Sequence, residues 1–310
     1  MSEVKSFQAQ AAHKGVALGL TLAVLGAIAF SGKAIIVKLA YRYGVDAVTL
    51  LMYRMLFALP IFLLMAWWAG RGKAALTRKD WLGILGLGFS GYYLASYLDF
   101  AGLAYIPASL ERLILYLNPT LVVIFGWVVY QRRITWGQCA GMLLSYSGVL
   151  LVFGHELGNQ GQNTVWGSLL VLASAVSYAI YLVYSGEMVQ RLGSLRLVGL
   201  ASSAACFFCI AQFAVTHPLS AMQVAPQVLW LSLLNATACT VAPVLMVMMA
   251  IERIGAGMTA QTGMIGPLST IFMGVWLLDE QLNAWMLAGT SLVMVGIFVF
   301  TRWAKKSGAG

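Results

Sequence analysis

The chain has 310 residues, of which 61% are apolar or aromatic and only 9% are charged. A soluble domain carries about 25% charged residues, so this composition excludes a soluble enzyme, a disordered chain and a nucleic-acid binder. The formal net charge of +9 is scattered between long apolar runs rather than gathered on a polar domain, which is how a multi-span membrane protein is written.

Taken in order, the apolar runs fall near 15–39, 45–69, 81–103, 107–129, 135–153, 164–187, 196–216, 228–250, 255–278 and 283–303. A bilayer core needs about 20 apolar residues per helix, so the runs predict an all-α integral membrane protein with ten transmembrane helices. The first run is too long for a signal-peptide core. Cys139, Cys206, Cys209 and Cys239 all fall inside runs and read as packing residues rather than a disulfide framework.

Basic residues set the orientation. With the N-terminus in the cytoplasm, 14 of the 19 Lys and Arg residues fall on the inside, Arg42 and Lys38 fall outside, and Lys33, Arg54 and Arg112 lie within spans. This bias predicts a multi-pass protein of the inner (plasma) membrane with both termini cytoplasmic.

A shift of 148 residues brings Ile106 onto Ile254, Ala108 onto Ala256, Pro119 onto Pro267 and Gly126 onto Gly274. It also brings Ala140, Gly141, Leu144 and Gly148 onto Ala288, Gly289, Leu292 and Gly296. The shift spans five helices. Five is odd, so residues 1–154 and 155–310 are expected to be two inverted five-helix repeats, with the site at the midplane between them.

The segments around LNPTLVVIFGWVV and IGPLSTIFMGVWLLDE, each followed by a Gly-containing helix, resemble the paired signature of the drug/metabolite transporter superfamily in its ten-helix EamA-type branch. Pro119 and Pro267 match its proline, and Gly141, Gly148, Gly289 and Gly296 match its final-helix glycines. Glu280 matches its acidic position, where the first repeat carries Arg132 instead. Within the branch the chain is most similar to bacterial amino-acid exporters, especially the aromatic type. The resemblance implies a secondary transporter that exports amino acids and related metabolites by alternating access, around a cavity walled by spans 1, 3 and 4 and spans 6, 8 and 9. Efflux of cationic or amphipathic drugs by the same fold is the alternative.

Charges inside spans are expensive and mark sites or pairs. Phe30 and Lys33 share a face of the first span, and the 148-residue shift places them on Tyr178 and Tyr181. Lys33 reads either as a donor to a substrate carboxylate or as a side chain snorkelling to the outer interface. Tyr92, Ser96 and Asp99 line one face of the third span. Asp99 and Glu111 read either as partners for a substrate ammonium or as structural ion pairs. Arg54 reads as a salt-bridge partner. Gln261 and Gly263 belong to a small-sided ninth span. Pro119, Pro243 and Pro267 predict kinks that free carbonyls one turn earlier, at Leu115 and Gly263 among others, for gating or the cavity wall.

Other classes find little support. Gly88-Phe-Ser-Gly91 resembles a rhomboid-type protease motif, but the three histidines lie in loops or tails and no HExxH is present. No filter motif or Walker A occurs. No enzyme activity, cofactor, metal or nucleic acid is expected; the partners are the bilayer and a small-molecule substrate. Gly137-Gln-Cys-Ala-Gly141 is a GxxxG, which leaves open a homodimer or packing within the chain.

Overall fold

The computed structural model describes the backbone of residues 2–131 and 134–307, and most side chains from Val16 to Trp303. Among the described residues every regular element is helical. The order is α1 (Ser2–Tyr41), α2 (Ala47–Gly70), α3 (Arg78–Leu87), a π-helical segment (Gly88–Leu94), α4 (Ala95–Leu103), α5 (Ala108–Leu115), α6 (Asn118–Tyr130) and α7 (Trp136–Gln160). Then come α8 (Gln162–Leu192), α9 (Ser194–Thr216), α10 (Pro226–Ala236), a second π segment (Thr237–Val241), α11 (Ala242–Thr262), α12 (Gly266–Leu278) and α13 (Ala284–Ser307).

Eight helices among the described residues are long and apolar enough to cross a membrane. The expected third span, 81–103, is not one of them. It is helical throughout, but Tyr92, Tyr93, Ser96, Tyr97 and Asp99 dilute its apolar character. The expected ninth span contributes only the shorter apolar helix Gly266–Leu278. Contacts with α1 show how the chain runs there. Gly32 lies against Cys239, Gly26 against Val247 and Gly19 against Ile254, so the chain runs antiparallel to α1 down to residue 254. Ser31 then bonds the Gly266 carbonyl at 2.9 Å and Arg42 the Leu278 carbonyl at 2.9 Å, so it runs parallel to α1 on the way back.

Helix ends follow local chemistry. Asp46 caps α2, accepting from the Val48 and Thr49 amides at 2.8 and 3.0 Å. Burial alone would raise its carboxyl, but those bonds, the Thr49 hydroxyl and the charge of His217 hold it below the usual range. Thr135 with Gln138 forms a capping box at the start of α7. At the position 148 residues on, the Asn283 side chain accepts from the Met286 amide at 2.7 Å at the start of α13.

Such recurrences are systematic. Adding 148 to the bounds of α6 gives those of α12, and adding it to Trp136 gives Ala284. Outside glycine, positive φ occurs at Gln131 (53°) and Asp279 (62°), also 148 apart, each ending the shorter apolar helix before it. The π segments correspond within one residue.

Contacts between the halves are reciprocal. A Cβ on Gly141 would meet the Gly296 carbonyl at 2.7 Å, and one on Gly148 would meet that of Gly289 at 2.6 Å. The shift carries Gly141 to Gly289 and Gly148 to Gly296, so the two contacts exchange under it. The same exchange joins Gly19–Ile254 to Gly167–Ile106. It also joins the approach of Gly26 to the Pro243 carbonyl to the Ser174 hydroxyl bond on the Ala95 carbonyl, 2.7 Å. The GxxxG glycines Gly137 and Gly141 are thus occupied by Trp303 and Gly296 of α13, within the chain.

Pro119 and Pro267 do not kink continuous helices. Each lies in the first turn of its helix, where no intrahelical N–H is needed, and the interruption precedes it. The Gly263 carbonyl is not left open either: the Tyr116 hydroxyl donates to it at 2.6 Å. Pro243 follows the second π segment directly, near the start of α11.

Candidate functional site

A cavity of about 480 Å³ lies between α1, α2, the α3–α4 unit, α5, α8 and the α10–α11 unit. Phe30, Lys33, Tyr92, Ser96, Asp99, Tyr178 and Gly263 all line it, as do Arg54, Arg112, Tyr116, Asn118, Thr240 and Thr259. Both π segments contribute to the wall, through Gly91 and Tyr92 in the first and Cys239 and Thr240 in the second. A π turn inserts an extra residue and re-aims side chains, which is why such turns gather at functional sites.

Charge gathers at one end of the cavity. Lys33 does not snorkel; its Nζ lies 2.5 Å from Asp99 Oδ2 and 3.6 Å from Glu111 Oε1. Glu111 itself is fully buried and stands behind the wall. Arg112 donates through Nη2 to Ser31 Oγ at 3.0 Å and lies over the Tyr116 ring. Asp99 Oδ1, Asn118 Oδ1, Arg54 Nη1 and Arg112 Nε are buried without hydrogen-bond partners. Groups of this kind in a cavity are where a polar ligand is completed.

The wall next to the charges is aromatic. Tyr181 is not in the lining, but its hydroxyl is 3.1 Å from that of Tyr92 and its ring stacks on Tyr178 with centroids 5.4 Å apart. Phe30 joins this apolar side. Gln261 falls in α11, and its side chain lies outside those described.

Beyond the charge cluster, towards the α1–α2 turn, the chain is tied. Lys38 donates to the Leu103 and Ile106 carbonyls at 3.2 and 3.1 Å. Glu280, after α12, accepts from the Ala108 amide at 2.8 Å and the Ser109 hydroxyl at 2.7 Å, capping α5 from the other half. Arg42 pairs with Asp279 at 3.6 Å.

Arg54, Arg112, Asn118 and Thr240 were not among the expected ligands. The signal available for the arginines was charge arithmetic: Lys33, Arg54 and Arg112 face only Asp99 and Glu111.

A family model described as the EamA-like transporter family matches the chain twice, over residues 17–154 and 165–302. The chain is similar to "Uncharacterized transporter YcbK" of Bacillus subtilis (strain 168), 28% identical over 281 residues that cover 88% of this chain and 89% of the relative. It is also similar to an "Uncharacterized transporter" of Archaeoglobus fulgidus, 22% identical over 281 residues, covering 90% and 96%. A solved crystal structure of a protein superposes with a TM-score of 0.62 at 20% identity, covering 94% of this chain and 98% of the other, and so shares the fold.

Proposed function

The chain belongs to the EamA-like transporter family, and from that premise we propose that this multi-pass membrane transporter exports amino acids and related small metabolites. It is a transporter rather than an enzyme. In this reading ten helices cross the inner membrane as two inverted five-helix halves, 1–154 and 155–310, with both termini in the cytoplasm. The reciprocal glycine contacts support the inversion, because α7 and α13 run antiparallel while exchanging places under one shift. The halves then alternate access to the cavity by moving against each other.

One observation carries the substrate class. Arg54 and Arg112, each with a buried unpartnered donor, and Asp99 and Asn118, each with a buried unpartnered acceptor, line one cavity beside Phe30, Tyr92 and Tyr178. A zwitterionic head needs both kinds of group close together, and an apolar or aromatic side chain fits the remainder. A cationic drug needs only the acids and the rings, and three cationic side chains in the wall oppose it. Counterflow in proteoliposomes with a panel of amino acids and quaternary cations tests this. Exchange of apolar and aromatic amino acids is expected. Exchange of the quaternary cations alone would overturn the reading.

A further inference from the structure

Arg54 lies two turns into α2, only 6% exposed, and reaches the cavity wall. Its Nε donates to Thr240 Oγ1 at 3.0 Å, its guanidinium sits 5.1 Å from the centre of the Phe100 ring, and Nη1 has no partner. Among the described residues no carboxylate pairs with it, because Asp99 is taken up by Lys33. A guanidinium removed from water with an open donor is unfavourable until an anion completes it. Its planar fork matches a carboxylate in two parallel bonds, which an ammonium cannot do.

The surroundings point the same way. Lys33, Arg54 and Arg112 are three cationic side chains in the wall, whereas Asp99 and Glu111 are the two acids beside them, and both acids lie on Lys33. The second π segment fixes the fork: Thr240 Oγ1 donates to the Asn235 carbonyl, five residues back, at 2.8 Å and so presents its lone pairs to Arg54 Nε.

We infer that Arg54, and not Lys33, receives the carboxylate of the transported molecule, with Thr240 as its positioning residue. Lys33 serves instead to hold Asp99 and Glu111. This deepens the export reading and rests on it. It also restricts the substrate to molecules bearing one carboxylate beside an apolar or aromatic body.

The test uses purified full-length protein and three probes: phenylalanine, phenylpropionate, which lacks the ammonium, and phenethylamine, which lacks the carboxylate. Affinity is read by competition binding. Arg54→Gln is expected to weaken phenylalanine and phenylpropionate by roughly 10–100-fold, as loss of a charge-assisted bond requires, while phenethylamine, relieved of one opposing charge, binds no more weakly. Arg54→Lys recovers part of the loss. Thr240→Val, isosteric and milder, is expected to weaken the two acids by about 3–10-fold, because the guanidinium keeps its charge and loses only the bond that orients it, again sparing the amine. Equal binding of the acids by wild type and folded Arg54→Gln overturns the inference. Should Arg54→Gln not fold, unchanged acid binding in Thr240→Val overturns it. Wild-type protein that binds phenylpropionate but not phenylalanine would refute amino-acid export and leave Arg54 as an anion site. Wild-type protein that binds neither acid refutes Arg54.

Discussion

Lys33 on α1 and Asp99 on α4, 66 residues apart in sequence, are joined through Nζ and Oδ2 at 2.5 Å, with Glu111 Oε1 a further contact at 3.6 Å. The ammonium is therefore the counterion of two carboxyls on different helices. It ties α1 to α4 and α5 at one end of the cavity. Removing one member strands the others, which is worse than never having buried them.

That relationship separates single from paired substitutions. Lys33→Met is expected to destabilise the protein by about 3–5 kcal/mol, the usual result of leaving a buried charge uncompensated. Lys33→Met with Asp99→Asn and Glu111→Gln should recover most of this. Thermal unfolding of the purified proteins decides it, and a triple variant no more stable than the single one would show that the cluster is not a counterion set.

Glu280 caps α5 from across the halves. Glu280→Ala removes bonds to Ala108 and Ser109 and is expected to cost about 0.5–2 kcal/mol, as loss of an N-cap does. Glu280→Gln keeps an acceptor and should lose less. A melting temperature unchanged in Glu280→Ala would mean that the cap contributes nothing to holding this end closed.

Glycines in α7 fall into two groups. A methyl at Gly141 or Gly148 collides with backbone at 2.6 Å, whereas Gly154 and Gly158 have open space around them. Gly148→Ala is expected to destabilise by about 1–3 kcal/mol through overpacking, and Gly158→Ala to be neutral or slightly stabilising. Chemical denaturation in detergent compares them, and similar midpoints for the two variants would contradict the packing described for α7 and α13.

Topology has its own check. Reporter fusions after residue 310 should give a cytoplasmic signal, and a fusion at Gly161, between α7 and α8, an external one. A cytoplasmic signal at Gly161 would remove the orientation that the basic residues predict.

Part of the architecture was legible because it is written in backbone chemistry: Pro119 and Pro267, and Gly141, Gly148, Gly289 and Gly296, repeat at one spacing. What the prolines do reads wrongly from sequence, since they open helices rather than kink them. Other features leave no local trace. Nothing in GFSGYYL or TACTV favours a π turn over an α turn; the extra residue is absorbed through tertiary contacts such as Ser177 on the Ser90 carbonyl, 2.8 Å. The lack of a carboxylate partner for Arg54 among the described residues is likewise invisible in sequence, because proximity to carboxylates is decided by three other helices. Lys33, Asp99 and Glu111 could be picked out as buried charges, but whether they face a substrate or each other depended on distances.

The exchange of Gly141–Gly296 with Gly148–Gly289 has a consequence for assembly. Two separate polypeptides, one ending near residue 154 and the other beginning there, would carry matching seams. Each glycine of one seam finds in the other fragment the carbonyl it meets in the intact chain. Fragments 1–154 and 155–310 made as independent products in one membrane should therefore recognise each other without the covalent link. Co-purification of one fragment through a tag on the other would be abolished by Gly141→Leu together with Gly148→Leu, while each fragment alone still inserts.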